Sequence, residues 1–206
     1  MLCVDIVNTW RSALGRAAKE GSIKLWLWWV LATTVAFGVG GRLGVALSPS
    51  KDLVVIGYLA LTASLIFAGA LQWLILRRLI ADTGWWVPVS VVAVATFGVF
   101  VFGLGLINRD VGWVLGVTVG WILLGTLQWL VLREQVAGAG WWVLANTLGL
   151  IVAVPVVGFV TWATGVPADG AIGGFIRWLA FGGAYGVVTG TALYWLLREL
   201  LQLATP

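Results

Sequence analysis

The chain has no histidine, one cysteine, one methionine and little charge, with only 10% of its 206 residues being Asp, Glu, Lys or Arg. Without an imidazole there is no His-based acid–base chemistry, no Cys/His zinc site and no His-ligated haem. A lone thiol, Cys3, excludes an internal disulfide framework. Soluble domains carry about 25% charged residues, so a soluble helical core is excluded for want of a polar face to meet water. What is present is apolar: 61% hydrophobic residues, 15 tryptophans and 28 glycines, with a mean hydropathy of +1.04. The composition is that of an all-α polytopic membrane protein.

Charged residues leave six gaps, at 25–41, 53–76, 83–108, 111–132, 135–168 and 178–197. About 20 apolar residues cross a hydrocarbon core of about 30 Å. Six transmembrane helices are therefore predicted at about 25–47, 53–77, 85–107, 111–133, 141–164 and 175–198. The first reaches full length if Arg42 extends its guanidinium outward. With six spans both termini share a side. That side would hold Arg11, Arg16, Lys19, Lys24, Arg77, Arg78, Arg133 and Arg198, against Arg42, Lys51, Arg109 and Arg177 opposite. The positive-inside rule then places both termini in the cytoplasm. Tryptophans and arginines at the predicted cytoplasmic helix ends read as interface anchors: Trp28, Trp29, Trp73, Arg77, Trp85, Trp86, Trp129, Arg133, Trp141, Trp142 and Arg198.

Residues 1–24 lack the apolar run of a secretory signal. On a helical wheel Cys3, Ile6, Val7, Trp10, Ala13, Leu14 and Ala17 share one arc, and Asp5, Asn8, Thr9, Ser12, Arg16, Lys19 and Glu20 lie on the other. This is the pattern of an amphipathic helix on the cytoplasmic leaflet or docked on a partner protein. It precedes a single membrane domain, 25–206.

Internal repetition is the most specific feature. Gly69-Ala-Leu-Gln72-Trp73-Leu-Ile-Leu-Arg77-Arg78 recurs as Gly125-Thr-Leu-Gln128-Trp129-Leu-Val-Leu-Arg133-Glu134. A weaker copy runs from Gly190 to Glu199, with Leu193 at the glutamine position. Trp28-Trp29-Val30, Trp85-Trp86-Val87 and Trp141-Trp142-Val143 open three units, about 28–84, 85–140 and 141–206. Each unit is predicted to be one helical hairpin, all three with the same orientation. The Gln-Trp-Leu-x-Leu-Arg and Gly-Trp-Trp-Val-Leu-Ala segments resemble a unit found in uncharacterised multi-pass bacterial membrane proteins. That resemblance covers most of 25–200 and implies a repeat-built bundle in the bacterial cytoplasmic membrane; it implies no activity.

Five residues inward from the boundary arginines stand Gln72 and Gln128; five inward from the tryptophan pairs stand Thr33, Ser90 and Asn146, with Thr34 and Thr147 beside them. All lie about 7–8 Å below the interface. Unpaired polar groups in hydrocarbon are costly, so these seven residues should form an interhelical hydrogen-bonded layer. Such a layer is either structural glue or the polar floor of a pocket open to the cytoplasm. Gly112, Gly116 and Gly120, and likewise Gly182, Gly186 and Gly190, mark small-residue faces for close helix packing, within the chain or against another subunit. Pro155 falls in mid-helix and Pro88 in a first turn.

The acids Asp52, Asp82, Asp110, Glu134, Asp169 and Glu199 fall at helix ends or in loops, away from the mid-depth position of an ion relay. Ser64, Thr118 and Thr161 are expected to bond back to helix carbonyls. Neither a catalytic dyad nor a metal-ligand set is found, and no cofactor is expected. The expected role is a non-catalytic membrane subunit or scaffold packing against partner proteins, lipids or pigments. The alternative is small-molecule binding or transport through a polar pocket near the cytoplasmic side. Expected partners are membrane lipids and other membrane subunits, not nucleic acid.

Overall fold

The computed structural model describes residues 2–48, 52–80, 83–105, 108–167 and 171–203. Within its helices, the side chains of 2–22, 53, 104–105, 109, 171 and 199–203 lie outside that description. Thus the two arcs of the amino-terminal helix, and the side chains of Lys51, Asp82, Arg109, Asp169 and Glu199, are outside the described residues.

The described residues are helical, with no strand. Six helices follow in order: α1 (Leu2–Leu47), α2 (Leu53–Leu76), α3 (Trp86–Gly105), α4 (Arg109–Leu132), α5 (Trp141–Thr164) and α6 (Ala171–Leu203), with a 3-10 turn at Thr83–Trp85 before α3. Helix is the outcome that apolar runs of this length dictate, because it satisfies every backbone N–H and C=O internally. Polar residues set the boundaries. The Asp52 carboxylate accepts from the Val54 N–H at 2.8 Å, and Asn108 accepts from the Val111 N–H at 3.0 Å, each occupying a free helix-start donor. Gly165 ends α5 in the left-handed region, with φ +61. α5 continues through Pro155, and Pro88 lies in the first turn of α3, where its missing N–H costs nothing.

Five helical segments are long and apolar enough to cross a membrane: Ile23–Leu47, Val54–Leu76, Thr83–Gly103, Asp110–Leu132 and Trp141–Thr164. α6 is also long, but its middle carries Gly182, Gly183, Tyr185, Gly186, Thr189, Gly190 and Thr191, which lower its hydropathy. The amino-terminal segment runs into the first of these segments as one helix without a break.

Each helix packs on its neighbours in sequence, and α6 returns to α1, so the bundle is a closed ring. The α1–α2, α1–α6, α3–α4 and α5–α6 contacts are extensive; α2–α3 and α4–α5 meet over shorter stretches. Glycine explains the closest approaches. A Cβ on Gly40 or Gly44 would lie 2.3 or 2.1 Å from the α2 backbone at Ser64 or Ala60. Gly116 and Gly120 face Val101 and Phe97 of α3, whereas Gly182, Gly186 and Gly190 face α1 at Phe37, Thr33 and Trp29. Both predicted glycine faces are therefore used inside the bundle; Gly112 is buried as well.

Two apolar clusters fill the interior. One lies toward the end where α2 and α4 finish and α3 and α5 begin, here termed proximal; it contains Trp29, Trp86, Trp142, Leu76, Leu132 and Leu193. The second, built on Phe37, Phe97, Trp121 and Tyr185, occupies the middle and extends toward the opposite, distal end.

Candidate functional site

Trp29, Trp86 and Trp142 meet in the middle of the proximal end. Their ring centroids are 5.7–6.4 Å apart, two of the three pairs edge-to-face, the geometry that aromatic quadrupoles favour. Each is 1% exposed or less. The expectation that all six residues of the Trp-Trp pairs anchor the interface is thus corrected. Consecutive helical residues diverge by about 100°, so Trp28, Trp85 and Trp141 face outward, 58–69% exposed, while their successors point to the axis. Trp73 and Trp129 are half-buried. Arg77 lies 4.9 Å over the Trp73 ring, and Arg198 lies 5.2 Å over exposed Trp195. Arg133 is exposed beside Glu134.

An indole N–H buried in hydrocarbon needs an acceptor, and each of the three has one. Trp86 Nε1 donates to Gln72 Oε1 at 3.4 Å, and Trp142 Nε1 donates to Gln128 Oε1 at 3.0 Å. Because the indole only donates, each glutamine turns its oxygen to the tryptophan and its amide NH2 to the other side. There Gln72 Nε2 donates to Thr33 Oγ1 at 3.3 Å, and Gln128 Nε2 to Ser90 Oγ at 3.2 Å. A single glutamine thereby ties its own helix to the one before and the one after.

The third position solves the same problem with two residues. Trp29 Nε1 donates to Thr189 Oγ1 at 3.1 Å, and Thr189 donates to its own helix at Tyr185 O. A hydroxyl this short does not reach α5. One turn below, Tyr185 Oη donates to Asn146 Oδ1, and Asn146 Nδ2 returns to Trp142 O at 2.8 Å. The polar contacts then run α1–α2–α3–α4–α5–α6–α1 without a gap.

The packing at the glycines differs from the alignment that the sequence match at Gly190 suggests. A Cβ at Gly125 would meet Asn146 Cβ at 3.1 Å and Val143 Cα at 3.3 Å; one at Gly186 would meet Thr33 Cβ and Val30 Cα at the same two distances. Gly186, not Gly190, is the counterpart of Gly125. Thr189 then takes the place of the glutamine, and Leu193 aligns with Leu76 and Leu132, all three at most 1% exposed. The sequence match at Gly190 is one helical turn out of step with the packing.

Of the seven residues expected in the layer, Thr33, Gln72, Ser90, Gln128 and Asn146 come together, all at most 4% exposed. Thr34 and Thr147 do not join them. They bond back to Val30 O and Val143 O of their own helices, at 2.7 and 3.0 Å. Ser64, Thr118 and Thr161 likewise bond to Ala60 O, Val114 O and Val157 O. Thr189, Tyr185 and the three inner tryptophans belong to the ring and were not predicted there. Their signal was the spacing of 14 residues between Gln72 and Trp86 and between Gln128 and Trp142. The indoles pack with Leu76, Leu132 and Leu193 beside the ring.

The open space is at the other end. A cavity of about 730 Å³ lies among α1, α2, α4, α5 and α6, walled by Trp113, Trp121, Trp178 and Phe181 with Arg42 and Arg177 on its lining. That volume is within the range of about 300–1,000 Å³ of small-molecule sites. A second, more open cavity of about 570 Å³ shares Val154, Val157, Arg177 and Phe181 with it and continues between α5 and α6. Trp121 is 2% exposed and touches Tyr185 with ring centroids 5.5 Å apart. Comparison with protein-family models, curated proteins and solved structures finds no match to this chain.

Proposed function

We propose that this chain is a non-catalytic integral protein of the bacterial cytoplasmic membrane that binds an apolar small molecule in its distal cavity. The single observation that carries this reading is that cavity, with four aromatic rings on its walls. In this reading six helices span the bilayer as three tandem hairpins with both termini in the cytoplasm, and the distal end faces outward. Support for α6 as the sixth span comes from its packing along both α1 and α5. The lysine and arginine asymmetry supports the orientation. The polar ring acts as structural glue, since its donors and acceptors bond one another. With the glycine faces taken up inside the bundle, the subunit-docking reading loses the feature that suggested it.

The test is purification from native membranes in mild detergent followed by native mass spectrometry. The expected result is one small molecule retained per chain after exhaustive delipidation. A Val157→Trp variant, which places an indole where the two cavities join, should be recovered empty with an unchanged melting temperature. Wild-type protein free of any bound molecule, or equal retention by the variant, would contradict the proposal.

A further inference from the structure

We infer that the distal cavity takes an amphiphile with an anionic headgroup, admitted sideways from the bilayer between α5 and α6 and held at its head by Arg177. This rests on the binding role proposed above and adds the chemistry of the ligand.

Two features carry it. First, Arg177 lines both cavities and stands on α6 six residues beyond its first residue, Ala171, about 9 Å along the axis. Its side chain is exposed and stands at the start of the predicted span 175–198, the level of lipid headgroups. Among the described residues it forms no ion pair with a carboxylate. Arg42 lines the same cavity from α1, and the contact between Gly41 and Trp178 brings the two arginine-bearing turns together. A guanidinium binds phosphate or carboxylate oxygens through two parallel hydrogen bonds.

Second, the wall itself is apolar and aromatic, and so suits a hydrocarbon body. The smaller cavity prolongs it along Val154, Gly158 and Trp162 of α5, so one end of a long ligand can lie in the bilayer while the rest is inside. This opening is where α5 carries Pro155 and where its outer residues Val154, Phe159 and Trp162 are 59–78% exposed.

An anionic head and a hydrocarbon body together describe an acidic amphiphile, not a free anion.

The experiment compares phosphatidylglycerol, phosphatidylcholine and inorganic phosphate as probes on the detergent-solubilised full chain, by native mass spectrometry. Wild-type protein should retain phosphatidylglycerol about tenfold better than phosphatidylcholine, the effect expected of one charge-assisted contact. Arg177→Gln, with an unchanged melting temperature, should bring the two lipids to parity, and Arg177→Lys should keep part of the preference. Equal retention of both lipids by wild type, blocked by Val157→Trp, would overturn the headgroup assignment while leaving the binding role in place. Phosphate binding as tightly as phosphatidylglycerol would overturn the amphiphile. Retention of neither lipid would overturn this inference, while the binding role would still stand on whether native protein carries another small molecule.

Discussion

Gln128 shows what a single side chain does in this fold. Its amide accepts from Trp142 of α5 and donates to Ser90 of α3, so the α4 residue that bridges two helices has no apolar substitute. Gln128→Leu keeps the volume and orphans the Trp142 N–H. Interhelical bonds in lipid average about 0.6 kcal/mol and reach about 1.7, and a donor left bare adds to that. We expect a loss of about 1–3 kcal/mol in reversible unfolding in micelles. Thr34→Val should change stability by less than about 0.5 kcal/mol, since Thr34 serves only its own helix. A reversal of that order would contradict the ring. At this scale the glutamines and Asn146 were legible, because an amide inside an apolar run must find a partner. The inner tryptophans were not. Trp29, Trp86 and Trp142 carry the same composition signal as their outward neighbours, and only packing decides which ring of each pair faces the axis.

Among the helices, glycine spacing foretold close contact without naming the partner. The triplets in α4 and α6 were visible as faces, yet whether they met the chain itself or another subunit depended on ring closure, which no local pattern encodes. The tightest contact, α1 against α2 at Gly40 and Gly44, was not singled out. Gly44→Ala would put a methyl carbon 2.1 Å from the Ala60 Cα, where no side-chain rotation can relieve it. It should destabilise by about 1–3 kcal/mol or more. Gly103→Ala meets nothing within 4 Å and should be neutral or slightly stabilising, through the better helix propensity of alanine. Thermal unfolding of the two variants side by side checks the pair. The same scale explains the slipped register of the third repeat. Gly190-Thr matches Gly125-Thr letter for letter, but α6 packs on α1 with Gly186 at the close approach.

For the molecule as a whole, the ring and the cavity divide the work. Indoles, amides and leucines fill the proximal end, and the distal end stays open where α4 and α5 meet only briefly. Charge-free runs foretold membrane helices; the cavity was beyond the sequence because it arises from how far apart two helices stand. Everything in this arrangement requires α6 to return beside α1, bringing Thr189 to Trp29 and Tyr185 to Asn146. In a membrane that return means crossing, and α6 carries none of the five segments apolar enough to cross. The most direct measurement is therefore the sidedness of the two termini, read in living cells with one reporter active only in the cytoplasm and another only outside it, each fused in turn to either end. Both ends should light the cytoplasmic reporter and neither the outer one. A carboxyl terminus on the far side from the amino terminus would mean that α6 does not cross, and would contradict the closed six-helix ring.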